Sequence, residues 1–199
     1  YTVHEPDPGR RQALAKRLAS EKNGRCIQIL GEIPDQPAPG GIFLCNELLD
    51  AFPVRRVRWE NGAWHEWRVG LDDLGNFCFV TAPLQDLVGE VADIDTADLP
   101  DGYVTEVCPA YDAWMAEARR WFGENGIWWI IDYGHEAADY FAPGRSEGTV
   151  RGYRDHQQTG DLFSHLGHTD LTADVNFTRL DRAAAACGLR RADFTDQHH

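Results

Sequence analysis

Nowhere does this sequence run apolar for anything near the ~20 residues that a helix needs to cross a bilayer, so no membrane span is expected. Its start lacks the basic-then-apolar pattern of a secretion signal, although a chain that opens on Tyr1 is expected to lack its true beginning. Positive charge is scarce. With 19 Lys and Arg against 32 Asp and Glu, the formal charge is -13. Phosphate backbones need a basic surface, so nucleic acid is excluded as a partner and a cationic substrate suits better. Cysteine is too sparse for a disulfide framework or a zinc knuckle: Cys26, Cys45, Cys78, Cys108 and Cys187 are odd in number, widely spaced and mostly set among apolar residues. Reduced thiols in a reducing, cytoplasmic compartment are expected. Also missing are Gly-x-Gly-x-x-Gly, Gly-x-x-x-x-Gly-Lys-[Ser/Thr], Gly-x-Ser-x-Gly and His-Glu-x-x-His, which leaves dehydrogenase, P-loop, serine hydrolase and zincin readings without direct support. His165 and His168, three apart with no defined third ligand, do not make a metal site, and none is expected. No internal repeat or low-complexity tract interrupts the 199 residues, a length that suits one domain.

What is present is a β-α grammar. Tyr1–Glu5 reads as the end of a strand, broken by Pro6-Asp7-Pro8-Gly9 before a helix over Arg10–Ser20. Cys26–Leu30 resembles a short strand, and Ile42-Phe43-Leu44-Cys45 a buried parallel one. Val54–Val80 changes to a tryptophan-rich alternation around Asn61-Gly62, the strongest short hairpin signal, so residues 55–82 are expected as an antiparallel β insertion within a single 1–199 domain. Ala110–Phe122 has helical spacing and leads into a second buried strand, Ile127–Ile131. Ala138–Leu171 reads as a long polar loop of the kind that carries function, Phe177–Cys187 as a helix, and Leu189–Phe194 as the start of a strand.

Both apolar runs end in acid: Asn46-Glu47 with Asp50 after the first, Asp132-Tyr133-Gly134 after the second. Ligands of open α/β sheets bind at the carboxyl ends of strands, so one site between these ends is expected. Glu47 and Asp50 are three apart and suit one face of a helical turn, either capping it or clamping a guanidinium through charge-assisted hydrogen bonds. Glu47 with Asp132 could also serve as an acid-base pair of a hydrolase. Glu5, closing a strand before a Pro/Gly turn, is placed either to accept ribose hydroxyls or to stand solvated near a helix start.

Asn46-Glu47-Leu48-Leu49-Asp50-Ala51-Phe52-Pro53-Val54, Ile131-Asp132-Tyr133-Gly134, Gly148-Thr149 with Tyr153 and His156, and Asp170-Leu171-Thr172-Ala173 with Phe177 resemble, in order, the signatures of the MidA-like methyltransferases. The resemblance runs from Glu5 to about Gln197. It implies a Rossmann-like class I α/β sheet, mostly parallel, and S-adenosyl-L-methionine as cofactor. The substrate it implies is a protein, with an arginine methylated, a respiratory complex subunit in the case of the family's mitochondrial assembly factor. The compartment it implies is cytoplasmic in a bacterium and mitochondrial in a eukaryote. Glu5, Asn46 and Glu47 would contact the cofactor; Asn46, Glu47, Asp50 and Asp132 would stand at the chemistry; Tyr133, Tyr153, His156, Asp170 and Thr172 would face the substrate. Three departures accompany it. The family's glycine-rich first strand is expected to lie outside this chain, as are its last strands, with His198-His199 read as part of a tag. After Thr172-Ala173 the family usually shows His and then Asp, where Asp174 and Asn176 stand here. A fold kept for assembly or interaction without catalysis is the rival reading.

Overall fold

The computed structural model describes residues 1–19, 26–35, 38, 40–122, 125–155 and 157–197. In chain order its elements are β1 (Thr2–His4), α1 (Pro8–Leu18), β2 (Gln28–Leu30), β3 (Gly41–Asn46), β4 (Arg55–Glu60), β5 (Ala63–Leu71), β6 (Phe77–Pro83) and α2 (Val88–Val91). There follow β7 (Val104–Val107), α3 (Ala110–Trp121), β8 (Gly126–Ile131), β9 (Gly134–His135), α4 (Ala137–Tyr140), β10 (Arg151–Arg154), β11 (Gln157–Thr159), β12 (Asp170–Thr172), β13 (Val175–Asn176) and α5 (Phe177–Ala186). Parallel pairs alternate with antiparallel sheets, a mixed α/β architecture. The chain divides into two compact units, residues 1–41 with 118–127, and residues 42–117 with 128–199.

In the first unit β1 and β2 pair in parallel, Val3 opposite Ile29. Helix α1 starts where the sequence provides a cap: the Asp7 carboxylate accepts the Arg10 N–H at 2.6 Å, and Pro8 occupies the first turn, where its missing N–H is no loss. Arg11 donates to the carbonyls of Glu5 (2.9 Å) and Pro6 (2.6 Å), tying the helix to the turn after β1.

The second unit holds most of the chain. Strands β6-β5-β4-β7 form one antiparallel sheet, with Asn61 (φ 52°) and Gly62 (φ 75°) making the two-residue turn that an Asn-Gly pair favours. Strand β3, whose Gly41 is counted in the first unit, pairs with β8, whose Gly126 and Ile127 are counted there too. Their backbone bonds, Gly41 N–H to Asn125 O and Glu47 N–H to Ile131 O, advance together along both chains, so the two strands run in the same direction and deliver their carboxyl ends side by side. One core gathers Leu49, Cys108, Tyr111, Met115, Val175, Leu180 and Ala183, and a second Val57, Leu87, Val91, Ile94 and Val107. Burying this many apolar side chains, at about 1.5–3 kcal/mol each, is what offsets the cost of ordering the chain. Helix α5 is capped by the Asn176 side chain on the Arg179 N–H (3.0 Å). Arg179 fastens it outward, two nitrogens on Glu90 (2.8 and 2.9 Å) and two on Asp112 (2.6 and 3.0 Å).

Three expectations need correction. Strands β3 and β8 are not buried throughout: of their apolar residues Ile42, Leu44, Ile127 and Trp129 are exposed. The polar stretch 138–171 is not a featureless loop: it contains α4, β10, β11 and the start of β12, and β11-β10-β12 form an antiparallel sheet of their own. Its strands are short and mostly polar, Arg-Gly-Tyr-Arg and Gln-Gln-Thr, so they show no apolar alternation. Leu189–Phe194 does not start a strand; it runs without regular structure, Arg191 pairing with Glu136 and stacking over Phe194.

Candidate active site

The turn after β3 is set by a single residue in an unusual conformation. Glu47 has φ 48°, a left-handed geometry that costs a non-glycine residue roughly 1–2 kcal/mol. It turns the chain so that the next three amides point one way, at Asp132 at the end of β8. Asp132 Oδ2 accepts the N–H of Leu48 (3.2 Å), Leu49 (2.8 Å) and Asp50 (3.3 Å), while Oδ1 accepts the N–H of Tyr133 (2.9 Å). Tyr133 closes the ring by donating its hydroxyl to Glu47 Oε1 at 2.8 Å. The expected meeting of the two acidic strand ends is present.

The roles within it differ. Glu47 and Tyr133 are exposed, and Asn46 stands exposed at the strand end. Glu47 holds the Tyr133 hydroxyl pKa above its ordinary value. Both oxygens of Asp132 are occupied by backbone amides, which makes it the support of the loop and a poor candidate for the free acid or base of a hydrolase. Asp50 is buried, and burial followed by the charge of Asp132 raises its carboxyl pKa. Its carbonyl accepts the Ala173 N–H at 2.9 Å, so the loop is held from a second side. Burial, with Asp132 nearby, pushes the Cys45 thiol up to about 12, and burial pushes that of Cys108 up to about 11; neither is a nucleophile at neutral pH. Among the described residues no group of three or more His, Cys, Asp or Glu is arranged to hold a metal.

Glu5 belongs to the first unit, one residue past β1, and its Oε1 accepts the Asp7 N–H at 2.9 Å. A carboxylate at a strand's carboxyl end has the acceptor chemistry that ribose hydroxyls require. Tyr153 and Asp170 sit opposite each other across β10 and β12, and Thr172 is opposite Arg151 in the same sheet. His156 lies outside the described residues.

A second polar cluster centres on Glu106, a residue outside the sequence expectations. Glu106, buried in β7, accepts from Arg56 (3.0 Å) and from both the N–H (2.7 Å) and the hydroxyl (3.1 Å) of Thr149. The Thr149 hydroxyl in turn accepts the Asp174 N–H at 3.1 Å, and Asp174 pairs with Arg151 (2.8 Å) and His135 (3.4 Å). Gly148, φ 77°, packs so closely that a Cβ there would meet Glu106 Oε1 at 2.2 Å. Gly148-Thr149 and Asp174 stand out in the sequence; the signal for Glu106 is a charge inside the strand Val104-Thr105-Glu106-Val107, which a buried partner must explain.

Beside the loop lies a cleft of about 520 Å³. Its lining draws on Ala51–Val54, on Trp67, Phe77 and Phe79, and on Phe163, Leu166, Leu171, Thr172 and Ala173.

The chain resembles known proteins along nearly its whole length. The profile of the family described as "Putative S-adenosyl-L-methionine-dependent methyltransferase" matches residues 1–195. The mitochondrial protein arginine methyltransferase NDUFAF7 of Xenopus laevis is 30% identical over 172 residues, 83% of this chain and 37% of that protein. The human protein of that name is 30% identical over 166 residues, 82% and 35%. A COG1565 superfamily member from Burkholderia thailandensis, crystallised bound to S-adenosyl-homocysteine, superposes with a TM-score of 0.83 at 29% identity, covering 94% of this chain and 48% of that one. The chain thus spans little more than a third of the curated relatives and about half of the solved structure.

Proposed function

We propose, because this chain belongs to the MidA-like family of S-adenosyl-L-methionine-dependent methyltransferases, that it forms part of an enzyme methylating an arginine side chain of a protein. The observation that carries the reading is the turn at the end of β3, which holds the Glu47 carboxylate exposed and fixed by Tyr133. A guanidinium has five donors in a planar fork, and a carboxylate is its best-matched partner. The cofactor supplies an electrophilic methyl group on a sulfonium. The chain's own residues then have to bind and orient the nucleophilic nitrogen, since positioning and desolvation are most of what such a displacement asks of a protein. Glu47 would clamp the guanidinium. Asp132 and the Ala173 N–H hold the turn that carries Glu47, and Tyr133 limits its rotamers. Glu5 would accept ribose hydroxyls. Relatives named protein arginine methyltransferases support the choice of arginine.

The test is methyl transfer from radiolabelled S-adenosylmethionine into protein, followed by mass spectrometry of the modified residue. Methylation at a residue other than arginine would reject the substrate assignment. Titration calorimetry on the Glu5→Ala variant checks the cofactor side. Affinity for S-adenosylmethionine is expected to fall by about 1.5–3 kcal/mol, the range for hydrogen bonds to a charged acceptor. Unchanged affinity removes Glu5 from the ribose.

A further inference from the structure

The cleft beside the β3 turn is of the size that holds a ligand side chain or small molecule, since pockets of that kind run about 300–1,000 Å³. It is aromatic and partly wet. Trp67 stacks on Phe79 at 4.4 Å, Phe79 meets Phe163 at 4.9 Å, and the rim residues Val69, Phe77, Leu166 and Leu171 are 55%, 49%, 51% and 49% exposed. Exposed apolar surface collected in one concavity marks a binding site more than a core.

Charge selects among occupants. Arg55, Arg56 and Arg68 line the cleft, paired with Glu66, Asp86 and Glu106, in a chain whose formal charge is -13. Asp86, which holds Arg55 Nη1 at 2.7 Å, is 71% exposed, so an incoming carboxylate can take its place. A second copy of this chain would bring a further large negative charge. A separate polypeptide with an apolar side chain and a nearby acid fits the lining better.

Position selects the role. Ala51–Val54 line the cleft and follow directly on Asp50, three residues after Glu47, and Ala173, also in the lining, donates its N–H to the Asp50 carbonyl. We infer that this cleft is a docking groove for the substrate polypeptide, taking a bulky apolar side chain and a neighbouring carboxylate a few residues from the arginine. The inference rests on the arginine reading above. Glu47 and Phe52 are five residues apart, at most ~17 Å of extended chain, so the anchor falls within about five positions of the arginine.

Fluorescence polarisation with labelled dodecapeptides tests it. One set has a central Arg, an Asp, and Leu within about five positions to either side; a second replaces Leu by Ser; a third replaces Arg by Ala. The protein variants are Phe163→Ser and Leu166→Asp, the latter at an exposed position where folding is spared. Replacing Leu by Ser is expected to weaken binding about tenfold or more, the effect of one buried side chain. Both variants should abolish that preference and leave S-adenosylmethionine affinity unchanged. A preference that survives in both variants overturns the groove. So does the absence of peptide binding up to millimolar concentration, or a self-association seen by sedimentation that Leu166→Asp dissolves. If the Leu preference and its loss in the variants hold while Arg and Ala peptides bind alike, the groove stands and the arginine reading falls.

Discussion

At the scale of the residue, Glu47 combines two properties that seldom coincide, a left-handed backbone and an exposed carboxylate with one fixed hydrogen bond. Holding a non-glycine residue there costs the fold about 1–2 kcal/mol, which its neighbours at Asp132 offset. Glu47→Gln keeps the shape and removes the charge. It is expected to leave S-adenosylmethionine affinity within about twofold and to lower kcat by one to two orders of magnitude, roughly the 1.5–3 kcal/mol of a charge-assisted hydrogen bond. Equal turnover in a steady-state assay would remove Glu47 from the chemistry. That Asn46, Glu47, Asp132 and Tyr133 converge was legible, because each follows an apolar run whose carboxyl end must meet the other's in a parallel sheet. That Asp132 supports backbone was not, because nothing in Asp132-Tyr133-Gly134 says which amides will face it. The left-handed turn that aims them is set by tertiary contacts.

At the scale of the element, the segment from Gly148 to Asp174 is built around one threonine. Thr149 joins Glu106 of β7 to Asp174 just before β13, and Gly148 makes the approach possible. Gly148→Ala adds a Cβ against the Glu106 carboxylate in a backbone conformation that disfavours it, and is expected to cost more than about 2 kcal/mol in urea unfolding. Gly144→Ala, where a Cβ meets nothing within 4 Å, should stay within about 0.5 kcal/mol. The contrast reads the close approach and the left-handed backbone at Gly148 together. Elements with a strong periodic signal, α3, α5 and the Asn61-Gly62 hairpin, were readable from the chain. Strands β10 and β11 were not, because polar residues on both faces of a short strand leave no period to read, and their pairing depends on partners as far along the chain as β12.

At the scale of the whole molecule, an acidic chain depends on its few cations being well placed. Arg55 is the main cause that holds the Glu66 carboxyl below its usual range, with Arg68 assisting, and Arg179 does the same for Asp112. A carboxyl whose folded pKa is depressed contributes stability above its unfolded value and loses it as pH falls through the folded value. Asp50, whose pKa is raised, works in the opposite sense and offsets part of the loss. Since Glu66 is nearly buried between two guanidinium groups, its contribution outweighs that of the more exposed Asp112. Urea midpoints are therefore expected to fall between neutral pH and about pH 3, and the fall should be smaller in Glu66→Gln. A variant that loses as much as the parent would place the acid sensitivity elsewhere.

The eight residues from Glu47 to Val54 carry the exposed carboxylate at one end and part of the lining of the aromatic cleft at the other. If Glu47 holds the arginine and the cleft a flanking side chain, selectivity and rate are inherited together. A substitution in Ala51–Val54 that widened the range of proteins accepted would then also shift the platform on which Glu47 stands, so new targets would be reached more readily by change in the 162–171 stretch of the lining, which can vary while the turn at β3 stays as it is.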